Sequence, residues 1–330
     1  MNFGALKRNI PFVATLAVFV LLFAFASIRY EGFFTLQYFV SFVSADAYLG
    51  IAALGLTFVI LSGGIDLSVG AVIGCVTILI GVLVETHHLP PLLAVALALV
   101  FGVMMGAGMG AVIHCFGLPP FLVTLAGMFL ARGIGFLIKL ESVSISGPLA
   151  DFNTNIYVPL NSRVFVPGTT LLYVIVFAIA FAVAHFMRFG RNVYAIGGNE
   201  QSAILMGLPV ARTKIGVYTL SGFCSALAGV TYVLQNAKGD PNTGLGLELD
   251  AIAAVVIGGT LLSGGVGLVA GTILGVMILG TIQAIITFQG TLNSWWTRII
   301  VGALLLAFIL LQKLIQAKKF KTGKTFQTAK

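Results

Sequence analysis

Long apolar runs, separated by short polar or glycine-rich breaks, make up most of this chain. A helix needs about 20 predominantly apolar residues to cross a bilayer. On that measure the runs predict ten spanning helices, at 11–28, 40–61, 69–84, 91–115, 120–138, 168–187, 213–235, 250–262, 266–288 and 294–312. The third and eighth are short and rich in glycine. The first run follows Lys7 and Arg8 like a signal peptide, but it has no Ala-x-Ala-like cleavage site and further spans follow, so it reads as an uncleaved helix.

An even number of spans places both termini on one side, and the basic residues say which. With the N-terminus cytoplasmic, the inner segments hold Lys7, Arg8, Arg188, Arg191, Arg212, Lys214, Lys313, Lys318, Lys319, Lys321, Lys324 and Lys330. The outer segments hold only Arg29, Lys139, Arg163 and Lys238, an asymmetry that satisfies the positive-inside rule. The expectation is a single membrane domain over 1–312, an all-α polytopic bundle with both termini cytoplasmic. It has a long outer loop at 139–167, a long inner loop at 188–212, and a basic tail at 313–330 that is unstructured or lies on anionic headgroups.

Composition agrees. Charged residues are 8% of the chain, against about 25% in soluble domains. A mean hydropathy of +1.08 excludes disorder. The net charge of +8 is spread over span ends and the tail rather than gathered on a folded face, so nucleic acid is not indicated. Cys75, Cys115 and Cys224 lie in apolar segments and read as small hydrophobes.

The chain echoes itself. Leu61-Ser-Gly-Gly-Ile-Asp-Leu-Ser-Val-Gly-Ala-Val-Ile-Gly74 returns as Leu262-Ser-Gly-Gly-Val-Gly-Leu-Val-Ala-Gly-Thr-Ile-Leu-Gly275, with Ile51-Ala-Ala53 matching Ile252-Ala-Ala254 in the same register. Paired glycine-interrupted segments in two halves of a transporter point to the region of the pathway. The helix breaks are expected at Gly63-Gly64 and Gly264-Gly265.

Four blocks then resemble the permeases of bacterial ABC-type sugar importers, in the ribose, xylose and galactose branch. They are Gly55-Leu-Thr-Phe-Val-Ile-Leu-Ser-Gly-Gly-Ile-Asp-Leu-Ser-Val-Gly70; Pro119-Pro-Phe-Leu-Val-Thr-Leu-Ala-Gly-Met128 with Arg132-Gly133; Gly190-Arg-Asn-Val-Tyr-Ala-Ile-Gly-Gly-Asn-Glu200; and Glu248-Leu-Asp-Ala-Ile-Ala-Ala-Val-Val-Ile-Gly-Gly-Thr-Leu-Leu-Ser-Gly-Gly-Val-Gly267. With Gly290-Thr-Leu-Asn-Ser-Trp-Trp-Thr297, the last block looks most like a galactofuranose-importer permease. The resemblance implies an inner-membrane, non-catalytic subunit working with a second, non-identical permease, a cytoplasmic ATPase that holds the ATP and Mg, and a periplasmic sugar-binding protein. This chain itself needs no cofactor. Gly323-Lys-Thr325 lacks the upstream glycine and the strand of a phosphate-binding loop.

Several residues are candidates for that work. Glu200–Met206 reads as a short helix with Asn199 as its N-cap, stopped by Gly207 and Pro209. The spacing Asn199, Glu200, Ala203, Gly207 resembles the importers' ATPase-coupling helix. Ala203 and Gly207 lie on one helical face, where their small size would admit a partner. Asp66 reads either as a cap accepting from amides near Val69 or as a contact with substrate or ATPase. A sugar pathway wants thinly spread polar groups and aromatic faces: Asp46 and Tyr48 at the outer start of the second span, and Asn293, Trp295 and Trp296 at that of the tenth. The tryptophans fit interfacial anchoring equally well. Glu248 and Asp250 sit at the outer mouth, solvated or facing the binding protein. No His, Cys, Asp or Glu set has metal-ligand spacing and no Ser-His-Asp arrangement appears.

The alternatives are a gradient-driven sugar transporter and a membrane-embedded enzyme. The first usually carries several ionisable residues at mid-membrane, where only Arg132 is expected here. The second needs a nucleophile, a metal set or a carboxylate pair, and none stands out.

Overall fold

The computed structural model describes residues 10–161, 164–290 and 295–327. Lys7, Arg8, Arg163 and Lys330 of the charge argument lie outside them. The elements are α1 (Ile10–Arg29), α2 (Leu36–Ala45), α3 (Ala47–Leu61), α4 (Val69–Glu85), α5 (Pro91–Phe116), α6 (Pro120–Ile138), β1 (Val143–Ser144), α7 (Phe152–Asn155), β2 (Tyr157–Asn161), β3 (Val164–Pro167), α8 (Gly168–Phe186), α9 (Arg188–Gly198), α10 (Glu200–Leu205), α11 (Val210–Asn236), β4 (Lys238–Gly239), α12 (Leu247–Ile257), α13 (Val269–Gln289) and α14 (Trp295–Gln327).

The expected all-α polytopic bundle is present, and seven described helices are long and apolar enough to cross a membrane: α1, α5, α6, α8, α11, α13 and the first part of α14. Their solvent is lipid, so Leu21, Ile28, Leu92 and Leu137, each at least 70% exposed, are where an apolar solvent wants them.

Two expected spans differ from the reading, and the short third one is found at its expected bounds. The run at 40–61 is two helices, α2 and α3, bent by 55° at Asp46. The run at 69–84 is the 17-residue α4. The run at 250–262 holds only the 11-residue α12, about 16 Å long, or half a hydrocarbon core. Its helix stops at Ile257, and the non-helical segment 258–268 completes the return toward α9. The last helix runs on through Gln327, so the backbone is helical into the region read as a basic tail.

The centre of the bundle is α3 against α11. Every residue of α3 except Tyr48 is buried. α11 is flanked by α5, where close approach is built from glycine on both sides. A Cβ at Gly102 or Gly106 would overlap the Gly222 or Tyr218 carbonyl, and one at Gly222 would overlap that of Gly102. At the far end of α11, β4 pairs antiparallel with β1, placing Val143 opposite Gly239, and so ties the 139–167 connection to the bundle. That connection also carries the β2–β3 hairpin.

Candidate functional site

The two Ser-Gly-Gly breaks meet. The Gly265 amide donates to the Leu61 carbonyl at 2.9 Å, joining the end of α3 to the break after α12. Gly63, Gly264 and Gly265 have φ of +84°, +80° and +73°, a region in which a side chain is strained. A third glycine pair closes the junction. Gly197, near the end of α9, has no room for a Cβ because the Leu61 oxygen and the Gly265 nitrogen occupy the space. Tyr194, one turn earlier in α9, donates its hydroxyl to the Gly267 carbonyl at 3.0 Å. The repeat thus brings its two halves into backbone contact, wedged by the loop that the sequence marked for coupling.

That loop continues directly into α10. Asn199 is extended (φ −162°, ψ 108°), and its Oδ1 accepts from the Ser202 amide at 2.8 Å, the expected N-cap. Glu200 sits in the first turn, favourable to the helix dipole, and pairs with Lys214 Nζ at 2.7 Å. At the other end the Leu208 amide donates to Ala203 and the Gly207 amide to Ile204, with Gly207 at φ +74°. This is a Schellman closure. Ala203 is fully buried against Ile196, Val210 and Leu208, so its small size serves packing within the chain. The outward residues are Ile204, Leu205 and Met206, at 57%, 87% and 67% exposure. The sequence reading placed them in this short helix but looked for the docking face at the small residues Ala203 and Gly207 instead.

Asp66 is fully buried. Oδ1 accepts from the Ser68 amide at 2.9 Å and its hydroxyl at 2.6 Å, and Oδ2 from the Ser221 hydroxyl at 2.7 Å. The backbone bond comes from Ser68, the residue next to Val69 and immediately before α4, so the carboxylate holds the entry to that helix as expected. The carboxylate ties the first break to α11. Its repeat counterpart Gly267 packs on Thr260 instead.

On the opposite side the candidates separate. Asp46 lies at the α2–α3 bend, ten residues into the helical pair rather than at its start. Tyr48 packs edge-on against Tyr232, ring centres 5.5 Å apart. Trp295 and Trp296 are exposed at the start of α14, with the Arg298 guanidinium 5.5 Å from the Trp295 ring centre, and line neither cavity beside Asp46. Asn293 lies outside the described residues. Arg132, read as a charge within a span, is a backbone clamp: Nη1 donates to the Pro241 and Thr243 carbonyls at 2.5 and 2.9 Å. Glu248 reaches Gly70, where an added Cβ would overlap its Oε2. Asp250 stands two residues further along α12 and is half-buried. In the loop between α11 and α12, burial pushes the Asp240 carboxyl up, but bonds from Lys238 and Asn242 more than offset this and hold it below its usual range. No group of three or more metal-capable side chains occurs among the described residues.

Residues 38–309 match the family described as branched-chain amino acid transport system / permease component. The chain belongs to this permease family. It is a multi-pass membrane protein. Among its relatives, the inner membrane ABC transporter permease protein YjfF of Escherichia coli K12 is 46% identical, over 93% of each chain. The fructose import permease protein FruG of Bifidobacterium longum is 35% identical over 94% of this chain and 93% of its own. The ribose import permease protein RbsC of Escherichia coli K12 is 34% identical over 90% and 92%. No solved structure matches the chain.

Proposed function

We propose that this permease is the membrane-spanning subunit of an ATP-driven importer for a monosaccharide, with galactofuranose as the sugar. It sits in the inner membrane as a multi-pass protein, with α10 and both termini on the cytoplasmic side. An ATPase docks on α10 and supplies the energy; this subunit holds no nucleotide and catalyses nothing. A second, non-identical permease completes the pathway, and a periplasmic binding protein delivers the sugar to the side bearing Asp46 and the β2–β3 hairpin.

One observation carries the reading. α10 is a short helix closed at both ends by its own hydrogen bonds, presents Ile204, Leu205 and Met206 outward, and follows without slack from the glycine junction that touches both halves of the repeat. A part with an apolar docking end and a rigid root in two broken helices is what external driving requires. The sugar rests on kinship with permeases named for ribose and fructose import and, for the furanose, on the 290–297 motif.

Tagging the chain, extracting it gently from its native membrane and identifying what co-purifies tests the reading. The expected result is an ATPase together with a second permease. An ATPase with this permease alone makes the importer homodimeric. Repeated recovery without an ATPase overturns external driving and puts gradient-driven transport in its place.

A further inference from the structure

The α2–α3 bend holds a carboxylate that nothing in the described chain satisfies. Among the described residues no side chain donates a hydrogen bond or an ion pair to Asp46. It opens on two cavities. One, of about 200 Å³, is walled by Phe42 and by Tyr173, whose hydroxyl is buried without a partner in a residue only 5% exposed. The other, of about 290 Å³, adds Ser41, Gln283 and Thr287. Space for the carboxylate is made on α13, where a Cβ at Gly280 would overlap Asp46 Oδ2.

A carboxylate and a row of hydroxyl and amide groups facing hydrocarbon is unfavourable, and such groups in spans face a pathway or a polar partner instead. The composition narrows what enters. A bare cation wants several converging oxygens of formal charge, and among the described residues Asp46 is the only carboxylate lining either cavity. An acidic ligand would be repelled. A neutral polyol fits: one carboxylate accepts from two adjacent hydroxyls, neutral polar groups take the rest, and aromatic walls cover the apolar ring face.

We propose that the bend at Asp46 is a binding station for the transported monosaccharide inside the span, with Asp46 accepting two neighbouring sugar hydroxyls, Gln283 completing the polar contacts, and Phe42 and the ring of Tyr173 as apolar walls. This rests on the reading of the chain as a sugar permease and adds where within it the sugar pauses. The station is sparse, as conduction demands: binding strong enough to enter, weak enough to leave.

The test uses the whole importer in lipid nanodiscs and proteoliposomes. In a Cys115→Ser background, since Cys115 is the exposed thiol and Cys75 and Cys224 are buried, Ser41→Cys is labelled with a small thiol reagent. The transported monosaccharide is expected to slow labelling, and equal concentrations of sodium or potassium chloride are not. Asp46→Asn and Gly280→Ala are each expected to lower sugar uptake about 10- to 100-fold, the scale of hydrogen bonds to a charged group, while ATP hydrolysis and subunit recovery stay near wild type. Labelling unaffected by sugar overturns the station, including where the Asp46 variant fails to assemble. So does wild-type uptake by Asp46→Asn, or protection by the salts instead of the sugar. An importer that takes up no monosaccharide at all overturns the underlying reading, whereas uptake with an unprotected Ser41→Cys sinks the station alone.

Discussion

The Gly265 amide donates to the Leu61 carbonyl across 204 positions of sequence at 2.9 Å, and Gly197 packs so closely on both atoms of that bond that a Cβ there would overlap them. The carbonyl of Leu61 is one of those left over where α3 ends, so the second break completes the first. A push on α9 or α10 therefore meets α3 and the α12–α13 connection through backbone atoms, with no flexible side chain between.

The neighbouring glycines of α9 give a sharp contrast. In a helix alanine is better than glycine by about 0.5–1 kcal/mol, so on local grounds either replacement stabilises. Gly198→Ala, with nothing within 4 Å of the added carbon, is expected to leave uptake and ATP hydrolysis intact. Gly197→Ala must push the junction apart and is expected to lower sugar uptake per ATP at least tenfold. Parallel assays in proteoliposomes decide it; equal behaviour of the two variants removes the junction from the coupling route.

Asp66 gives a prediction of stability rather than transport. Asp66→Ala strands the Ser68 and Ser221 donors in a dry interior and is expected to cost about 2–4 kcal/mol, on the scale of lost hydrogen bonds to a charged group. Thermal unfolding of the detergent-solubilised complex reads this directly. A variant of unchanged melting temperature that nonetheless fails to transport would move Asp66 into direct contact with substrate or ATPase.

Leu205 is the most exposed apolar residue of α10. Leu205→Glu leaves the fold alone, and its melting temperature is expected to match wild type. Recovery of the ATPase in pull-down is expected to fall at least tenfold, as for an anchor residue at an interface. Asn199→Ala acts on the same contact indirectly, losing a cap worth about 0.5–2 kcal/mol, and is expected to weaken recovery by less.

The Glu200–Lys214 pair is the nearest ion pair to that surface, with both side chains partly in solvent. Exposed pairs contribute about 0–1 kcal/mol. Glu200→Gln is therefore expected to shift stability by less than 1 kcal/mol, measured by thermal unfolding at low and high salt. A larger, salt-insensitive loss would show that the pair is enclosed on docking.

Much of this was legible because it is written in glycine. The echo of Leu61–Gly74 in Leu262–Gly275 marked both breaks, and the structure joins them. The Asn199 cap and the Gly207 stop bounded α10 to within a residue. Hydropathy failed where apolar residues are not helical: Leu261 and Leu262 lengthened the eighth run although the helix ends at Ile257. It failed again at Asp46, whose single charge within an apolar run gave no sign of a bend. Tyr173 was invisible for the opposite reason, an aromatic in a span being ordinary until its hydroxyl is seen to lack a partner. Ala203 pointed inward because burial on a short helix is set by Ile196, Leu208 and Val210, which lie outside it.

The enclosure of α3 carries a consequence for how the protein is made. It leaves the ribosome well before α11, α12 and α13, the helices whose groups bury it. The amide that will take the Leu61 carbonyl is about 200 residues away, roughly 10–40 s later at ordinary synthesis rates. Until then Thr57 can satisfy itself only locally, through the Ala53 carbonyl, before Thr272 arrives at 2.8 Å. The order of birth is the reverse of the order of shelter: the helix at the centre is made before its cover and waits, held by lipid or by the insertion machinery, for the later helices that will surround it.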